Sequence, residues 1–209
     1  HGGLARAVSD FTMAVPEGGL YGLIGPNGAG KTTVFNVITG VYQPTEGTIL
    51  LDGKDLNGMP SHAIARLGVA RTFQNIRLFQ NLTVLDNVRV AYHTHVGYGL
   101  SAAIARLGRF RSEDAALTEQ AQELLSVFGL EDRQLQVARN LPYGEQRRLE
   151  IARALALQPR LLLLDEPAAG MNPTETEELM GLIHFVRDQF ALSILLIEHQ
   201  MRVVMGICE

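Results

Sequence analysis

An α/β core interrupted by a helical subdomain is the fold class this 209-residue sequence predicts, and three observations predict it. A glycine-rich turn, Gly-Pro-Asn-Gly-Ala-Gly-Lys-Thr-Thr at residues 25–33, follows directly on the apolar run at residues 20–24. A second apolar run, residues 161–164, ends in the acidic pair Asp165 and Glu166. Such an uninterrupted run is what a parallel strand covered on both faces requires. Between them the composition turns helical, so residues 1–74 and 159–209 read as the core and 75–158 as the subdomain.

Each element follows from local pattern. Residues 11–15 and 20–24 read as strands separated by a Pro16-Glu17-Gly18-Gly19 turn, and a helix over 31–39 follows the glycine-rich turn. Residues 48–51 form a strand entering the Asp52-Gly53 turn, a short helix spans 62–67, and a strand at 69–72 ends at Phe73 and Gln74. In the helical block, 83–91 and 113–128 are helices, the second with Leu117, Ala121, Leu124, Leu125 and Phe128 on one face and Gly129 closing it. Residues 97–111, with three glycines and Arg106, Arg109 and Arg111, read as an exposed excursion, and 146–157 as a helix stopped before Pro159. Thr174 and Glu177 suggest a capping box for a helix whose Leu179, Leu182, Ile183, Val186 and Phe190 form one stripe. Residues 192–197 are the last strand, ending at Glu198 and His199.

Composition narrows the function. The 46% hydrophobic content is ample for a core, and a net charge of −4 argues against a nucleic-acid surface, which needs a basic face. The apolar runs are far shorter than the roughly 20 residues of a membrane helix. A single cysteine, Cys208, makes no internal disulfide and fits a reducing compartment, and no basic-then-apolar leader opens the sequence.

The chemistry sits at the strand ends. In the loop formed by Gly25, Pro26, Asn27, Gly28, Ala29, Gly30, Lys31, Thr32 and Thr33, the glycines let backbone N–H groups wrap a polyphosphate at a helix N-terminus. Lys31 is placed to bridge β and γ phosphates, and the Thr32 hydroxyl to reach Mg2+. Asp165 can hold Mg2+ through water while Glu166 orients the attacking water. His199 can meet the γ phosphate or a water, and the Gln74 amide the metal or a water. Tyr143, Gly144 and Glu145 precede a helix carrying Arg147, Arg148 and Arg153, whose N-terminal N–H groups form a second anion site. Taken singly, Asp-Glu-Pro is a solvated strand end, His199 a structural imidazole and the Pro-Gly segment an ordinary turn. With the loop, they describe a magnesium-nucleotide site.

In this order, the loop at 25–33, Gln74, the segment 141–146, residues 161–166 and His199 resemble an ABC-type ATPase over essentially the whole chain. Residues 71–79, 143–155 and 165–173 look like the LivG-type ATP-binding subunits of branched-chain amino-acid importers, and the stretch 92–111 is similar to an insert of that group. The resemblance implies a P-loop NTPase core of the ABC ATPase type with ATP and Mg2+ as ligands. It also implies a head-to-tail dimer in which the loop of one subunit and the signature helix of the other enclose each nucleotide. Carried over, Gln74 is the Q-loop glutamine, Gly144 the signature glycine, Asp165 and Glu166 the Walker B pair and His199 the switch histidine. The implied partners are a second ATPase, identical or related, two membrane permease subunits and an external amino-acid-binding protein, with the chain peripheral at the cytoplasmic face of the inner membrane.

Several positions depart from the family pattern. Pro142 and Tyr143 replace the signature serine and first glycine, Asn172 stands where many members keep aspartate, and His1 occupies the place of the adenine-stacking aromatic. The family continues with more strands beyond Cys208. Two rivals weigh against the importer reading: a soluble ABC protein of translation or DNA repair, which usually has two cassettes or a long coiled coil, and a P-loop kinase, which has no signature helix. His93 and His95, two apart, point to different helix faces and make a poor metal pair. The Arg106, Arg109 and Arg111 trio reads as a solvated basic face, and Cys208 as a small hydrophobe.

Overall fold

The computed structural model describes residues 7–93 and 110–199. Expectations placed on His1, His95, Arg106, Arg109 and Cys208 lie outside these residues, as do those on the side chains of His93 and Arg111. The chain divides into two compact units, His1–Gln74 with Pro159–Glu209, and Asn75–Gln158.

The first unit contains strands Leu20–Leu23 (β1), Leu50–Leu51 (β2), Lys54–Asp55 (β3), Val69–Arg71 (β4), Leu161–Asp165 (β5) and Ser193–Ile197 (β6). Its helices are Lys31–Ile38 (α1), Ser61–Arg66 (α2) and, numbered after those of the second unit, Pro173–Phe190 (α6). The main sheet runs β1-β6-β5-β4 with every pair parallel. Leu162, Leu164, Ile194 and Leu196 are as buried as Leu163, Leu195 and Ile197 between them, which is why β5 and β6 show no polar alternation. Phe35 of α1 and Ile64 of α2 complete a cluster with Leu163, Leu195 and Ile197. The register sets Leu23 opposite Ile197 and Ile197 opposite Asp165, so three strands finish level. In open α/β sheets ligands bind outside such carboxyl ends.

Three local expectations are corrected. Residues 11–15 form no strand: Phe11 and Met13 are exposed, and no ladder partner stands beside them among the described residues. The strand expected at 48–51 is only Leu50–Leu51, paired antiparallel with β3 across Asp52 and Gly53, both at positive φ, 49° and 76°. Two consecutive positive-φ residues of Asp-Gly type make the I′ hairpin turn. The capping box of α6 lies at Asn172 and Glu175 instead of Thr174 and Glu177. Asn172 Oδ1 accepts from Glu175 N–H at 2.9 Å, and Glu175 Oε2 accepts from Asn172 N–H at 3.0 Å, with Pro173 at the first helical position. Asn172→Ala is expected to cost about 1 kcal/mol in chemical denaturation and Asn172→Asp much less, since aspartate caps comparably.

The second unit holds Val84–His93 (α3), Phe110–Val127 (α4) and Tyr143–Leu155 (α5). Thr83 caps α3, accepting from Asp86 N–H at 3.0 Å. Val84, Val88 and Ala91 on α3, Ala121, Leu124, Leu125 and Phe128 at the end of α4, and Leu149 and Ala152 on α5 are among its buried apolar residues. Burying each of the larger side chains contributes roughly 1.5–3 kcal/mol. Gly129 at φ 61° ends α4: its N–H meets Ser126 O and Leu130 N–H meets Leu125 O, the Schellman pattern. No helix among the described residues is long and apolar enough to cross a membrane.

Candidate functional site

The glycine-rich loop leaves β1 two residues after Leu23 and turns into α1 through Gly28 at φ 82° and Gly30 at φ 88°. A side chain at Gly30 would also collide with Ala7 O, 2.4 Å from where its Cβ would stand. Gly30 is the N-cap of α1, so no side chain caps the helix, and no acidic residue occupies its first turn. The helix therefore presents its N–H groups and positive dipole end without a built-in anion. Lys31, 8% exposed, folds back so that Nζ donates to Gly25 O at 2.7 Å and Pro26 O at 2.9 Å. These carbonyls hold the ammonium inside the loop. Asn27, Gly28, Ala29 and Thr32 are exposed. An open cavity of about 540 Å3 is lined by Ile24, Gly25, Pro26, Asn27 and His199, joining the loop to the end of β6.

Beside the loop stands a second cluster. Glu166, the residue after β5, has φ 47°, a left-handed conformation that costs a non-glycine residue roughly 1–2 kcal/mol. Its N–H donates to Ile197 O at 3.0 Å, and its carboxylate accepts from Gln74 Nε2 at 2.9 Å, with His199 Nδ1 3.7 Å from the same oxygen. The glutamate is mostly buried while the histidine side chain is 46% exposed. A carboxylate bracketed by an amide and an imidazole is suited to polarise water. Gln74 and His199 do not close their strands as expected: β4 ends at Arg71 and β6 at Ile197, leaving both side chains on short loops. Glu198, fully buried, accepts from Ala168 N–H at 3.3 Å and from His199 N–H at 3.2 Å, tying the segment after Glu166 to the histidine loop.

Asp165 ends β5 as expected, 4% exposed, but it is not solitary. Arg71 Nη2 donates to Asp165 Oδ2 at 2.8 Å and Nη1 to Asn36 Oδ1 at 2.7 Å. Sequence reasoning assigned Arg71 no role, and its only signal was a charge at the end of an otherwise apolar strand, three residues before Gln74. Thr32, Asp165 and Gln74 offer hydroxyl, carboxylate and amide oxygens. Such hard donors suit Mg2+, which takes one or two protein carboxylates and completes its shell from substrate phosphates and water.

Tyr143, Gly144 and Glu145 belong to the second unit and form the first turn of α5, which starts at Tyr143 and not at 146 as its composition suggested. Pro142 is the N-cap and provides no side-chain hydrogen bond. Tyr143 is 45% exposed, with Arg147 Nη2 donating to its hydroxyl at 3.3 Å. Arg147 is fully buried and pairs with Glu150 at 2.8 Å, and Glu150 accepts Arg77 N–H at 3.0 Å. Buried Asn87 accepts from Phe79 N–H and donates to Phe79 O, at 2.9 and 3.1 Å. The segment 77–79 is thus pinned from two helices while the Phe79 side chain stays 47% exposed against Arg153, whose guanidinium lies 5.4 Å from the ring centroid. Burial pushes the Arg153 guanidinium below its ordinary range, opposed by the Glu150 charge. Sequence reasoning missed Asn87, whose one signal was a polar residue within the apolar face of α3.

The ABC transporter family matches residues 8–169 of the chain. The chain is similar over 208 residues to the high-affinity branched-chain amino acid transport ATP-binding proteins BraF of Pseudomonas aeruginosa, at 48% identity, and LivG of Escherichia coli, at 49%. Each match covers 100% of this chain and 81% of the relative. The lipopolysaccharide export system ATP-binding protein LptB of Escherichia coli is 36% identical, over 98% of this chain and 78% of its own length. Among solved structures, an ATP-binding cassette of an ABC transporter in its ADP conformation superposes with a TM-score of 0.79 at 26% identity, covering 96% of this chain and 78% of that one. A dimeric cassette in a post-hydrolysis state bound to ADP and Pi gives 0.77 at 25% identity, covering 95% and 82%.

Proposed function

The chain belongs to the ABC transporter family, and from that premise we infer that it binds and hydrolyses ATP as the subunit powering an importer of branched-chain amino acids. The observation that carries this reading is the Glu166 carboxylate, bonded by Gln74 at 2.9 Å and faced by His199 at the mouth of the Gly25 loop. In this reading the loop N–H groups and Lys31 hold the β and γ phosphates, Glu166 orients the attacking water, and His199 meets the γ phosphate. Thr32, Asp165 and Gln74 would hold Mg2+, which when bound neutralises charge on the phosphates. Gln74 touches Glu166 through its amide nitrogen and would meet metal or water through its amide oxygen, so its loop responds to nucleotide state. Tyr143, Gly144 and Glu145 present the N-terminus of α5 to the γ phosphate bound by a second ATPase subunit, identical or related. Pro142 removes the hydroxyl that would otherwise assist there.

The pinned 77–79 segment with its exposed Phe79 suits contact with a membrane permease subunit, of which two complete the transporter, fed by an external amino-acid-binding protein. The chain works peripherally at the cytoplasmic face of the membrane. Reconstituting it in vesicles with its permease subunits and the binding protein tests the whole reading. Leucine, isoleucine or valine delivered on the binding protein is expected to stimulate ATP turnover several-fold, while basic or acidic amino acids are not. Stimulation by another solute class alone would refute the substrate assignment. Turnover indifferent to permease and binding protein would favour an ABC-type ATPase without a transport role.

A further inference from the structure

The Arg71 side chain reaches the scaffold of each of the three donors assigned above to Mg2+. Through Nη2 it grips Asp165 itself at 2.8 Å. Through Nη1 it grips Asn36 at 2.7 Å. Asn36 lies four residues after Thr32 on α1, on the same face of that helix. The guanidinium also lies 5.4 Å from the Phe35 ring centroid and 5.0 Å from that of Phe73, the residue before Gln74. Its side chain is 6% exposed and that of Asp165 5%. With both side chains withdrawn from solvent, this contact fixes the orientation of the Asp165 carboxylate. The fork is what makes the arrangement work, because one lysine ammonium cannot span both oxygens with the same planar geometry.

We propose that Arg71 is a positioning residue for the metal-nucleotide complex: it sets the spacing between the Thr32 face of α1 and the Asp165 carboxylate, and thereby the affinity for Mg2+ bound with ATP. The proposal rests on the assignment of Thr32, Asp165 and Gln74 to Mg2+. Partners of this kind behind metal ligands typically change metal affinity by 10–100-fold when removed.

Binding of a fluorescent ATP analogue, titrated with and without Mg2+, separates the two contributions. In Arg71→Met the Mg2+ concentration that gives half the affinity gain is expected to rise about 10–100-fold, with Mg2+-free binding within about threefold of the wild type. Arg71→Lys, which keeps the charge and loses the fork, is expected to rise roughly 3–10-fold. Asn36→Ala, which unhooks the guanidinium from α1 and leaves the ion pair, is expected to move in the same direction and serves if the Arg71 variants do not fold. An unchanged Mg2+ half-point in any folded variant overturns the proposal. So does an equal loss of Mg2+-free binding, which would mark Arg71 as a packing residue only. A wild type whose nucleotide affinity is indifferent to Mg2+ would instead sink the site assignment itself.

Discussion

Replacing Lys31 with alanine is expected to weaken ATP binding by roughly a hundredfold or more, the largest effect any single substitution in the loop should produce. Two charge-assisted hydrogen bonds to phosphate, each about 1.5–3 kcal/mol, are removed at once, and every 1.4 kcal/mol is a factor of ten. The loop itself should survive. It loses the two bonds from Lys31 Nζ to Gly25 O and Pro26 O, but its turn is also set by the positive φ of Gly28 and Gly30 and by the hydrogen bond from Ala29 N–H to Pro26 O at 3.2 Å, which remain. The loss then appears in binding, read by calorimetry or a fluorescent analogue, with little change in thermal midpoint. Retained ATP affinity within about threefold would contradict the reading of residues 25–33 as a phosphate cradle.

Glu166→Gln separates binding from chemistry. The amide matches the carboxylate in shape, carries the same backbone penalty at φ 47°, and still offers Gln74 Nε2 an oxygen, so the cluster's geometry is preserved. What disappears is the negative charge that polarises water. Turnover is expected to fall by about 10²–10⁴-fold, the usual contribution of a positioned general base, with nucleotide affinity unchanged. If two subunits clasp around ATP as proposed, the stalled variant should also accumulate as an ATP-dependent dimer on size-exclusion chromatography. Undiminished hydrolysis would remove Glu166 from its role, and a variant that stays monomeric with saturating ATP would count against the shared site.

Together these variants probe features of unequal legibility in the sequence. Residues 25–33 could be read directly because loop chemistry is local: glycines, a lysine and a hydroxyl within nine positions, between an apolar run and a helix. The buried strands β5 and β6 were equally plain, since a sheet covered on both faces leaves no polar alternation along the chain. Boundaries were less so. The Asn172 cap and the early start of α5 at Tyr143 turn on a few local hydrogen bonds and on the fixed φ of Pro173 and Pro142, which compete with candidates two or three residues away. The run at 11–15 had strand composition without a strand, because β structure needs a neighbour and composition cannot supply one.

By itself, then, the amino-acid order determined the class of fold, the glycine-rich turn into α1, the acidic pair at the end of β5 and the family to which they belong, all encoded in contiguous stretches with their own periodicity or turn chemistry. Only the tertiary structure decided that Arg71 grips Asp165 across 94 positions, that Gln74 bonds Glu166 across 92, and that Glu198 ties Ala168 to His199. Those contacts depend on strand order and parallel register, which place residues distant in the chain at one level of the sheet. No local pattern specifies which charge will meet which.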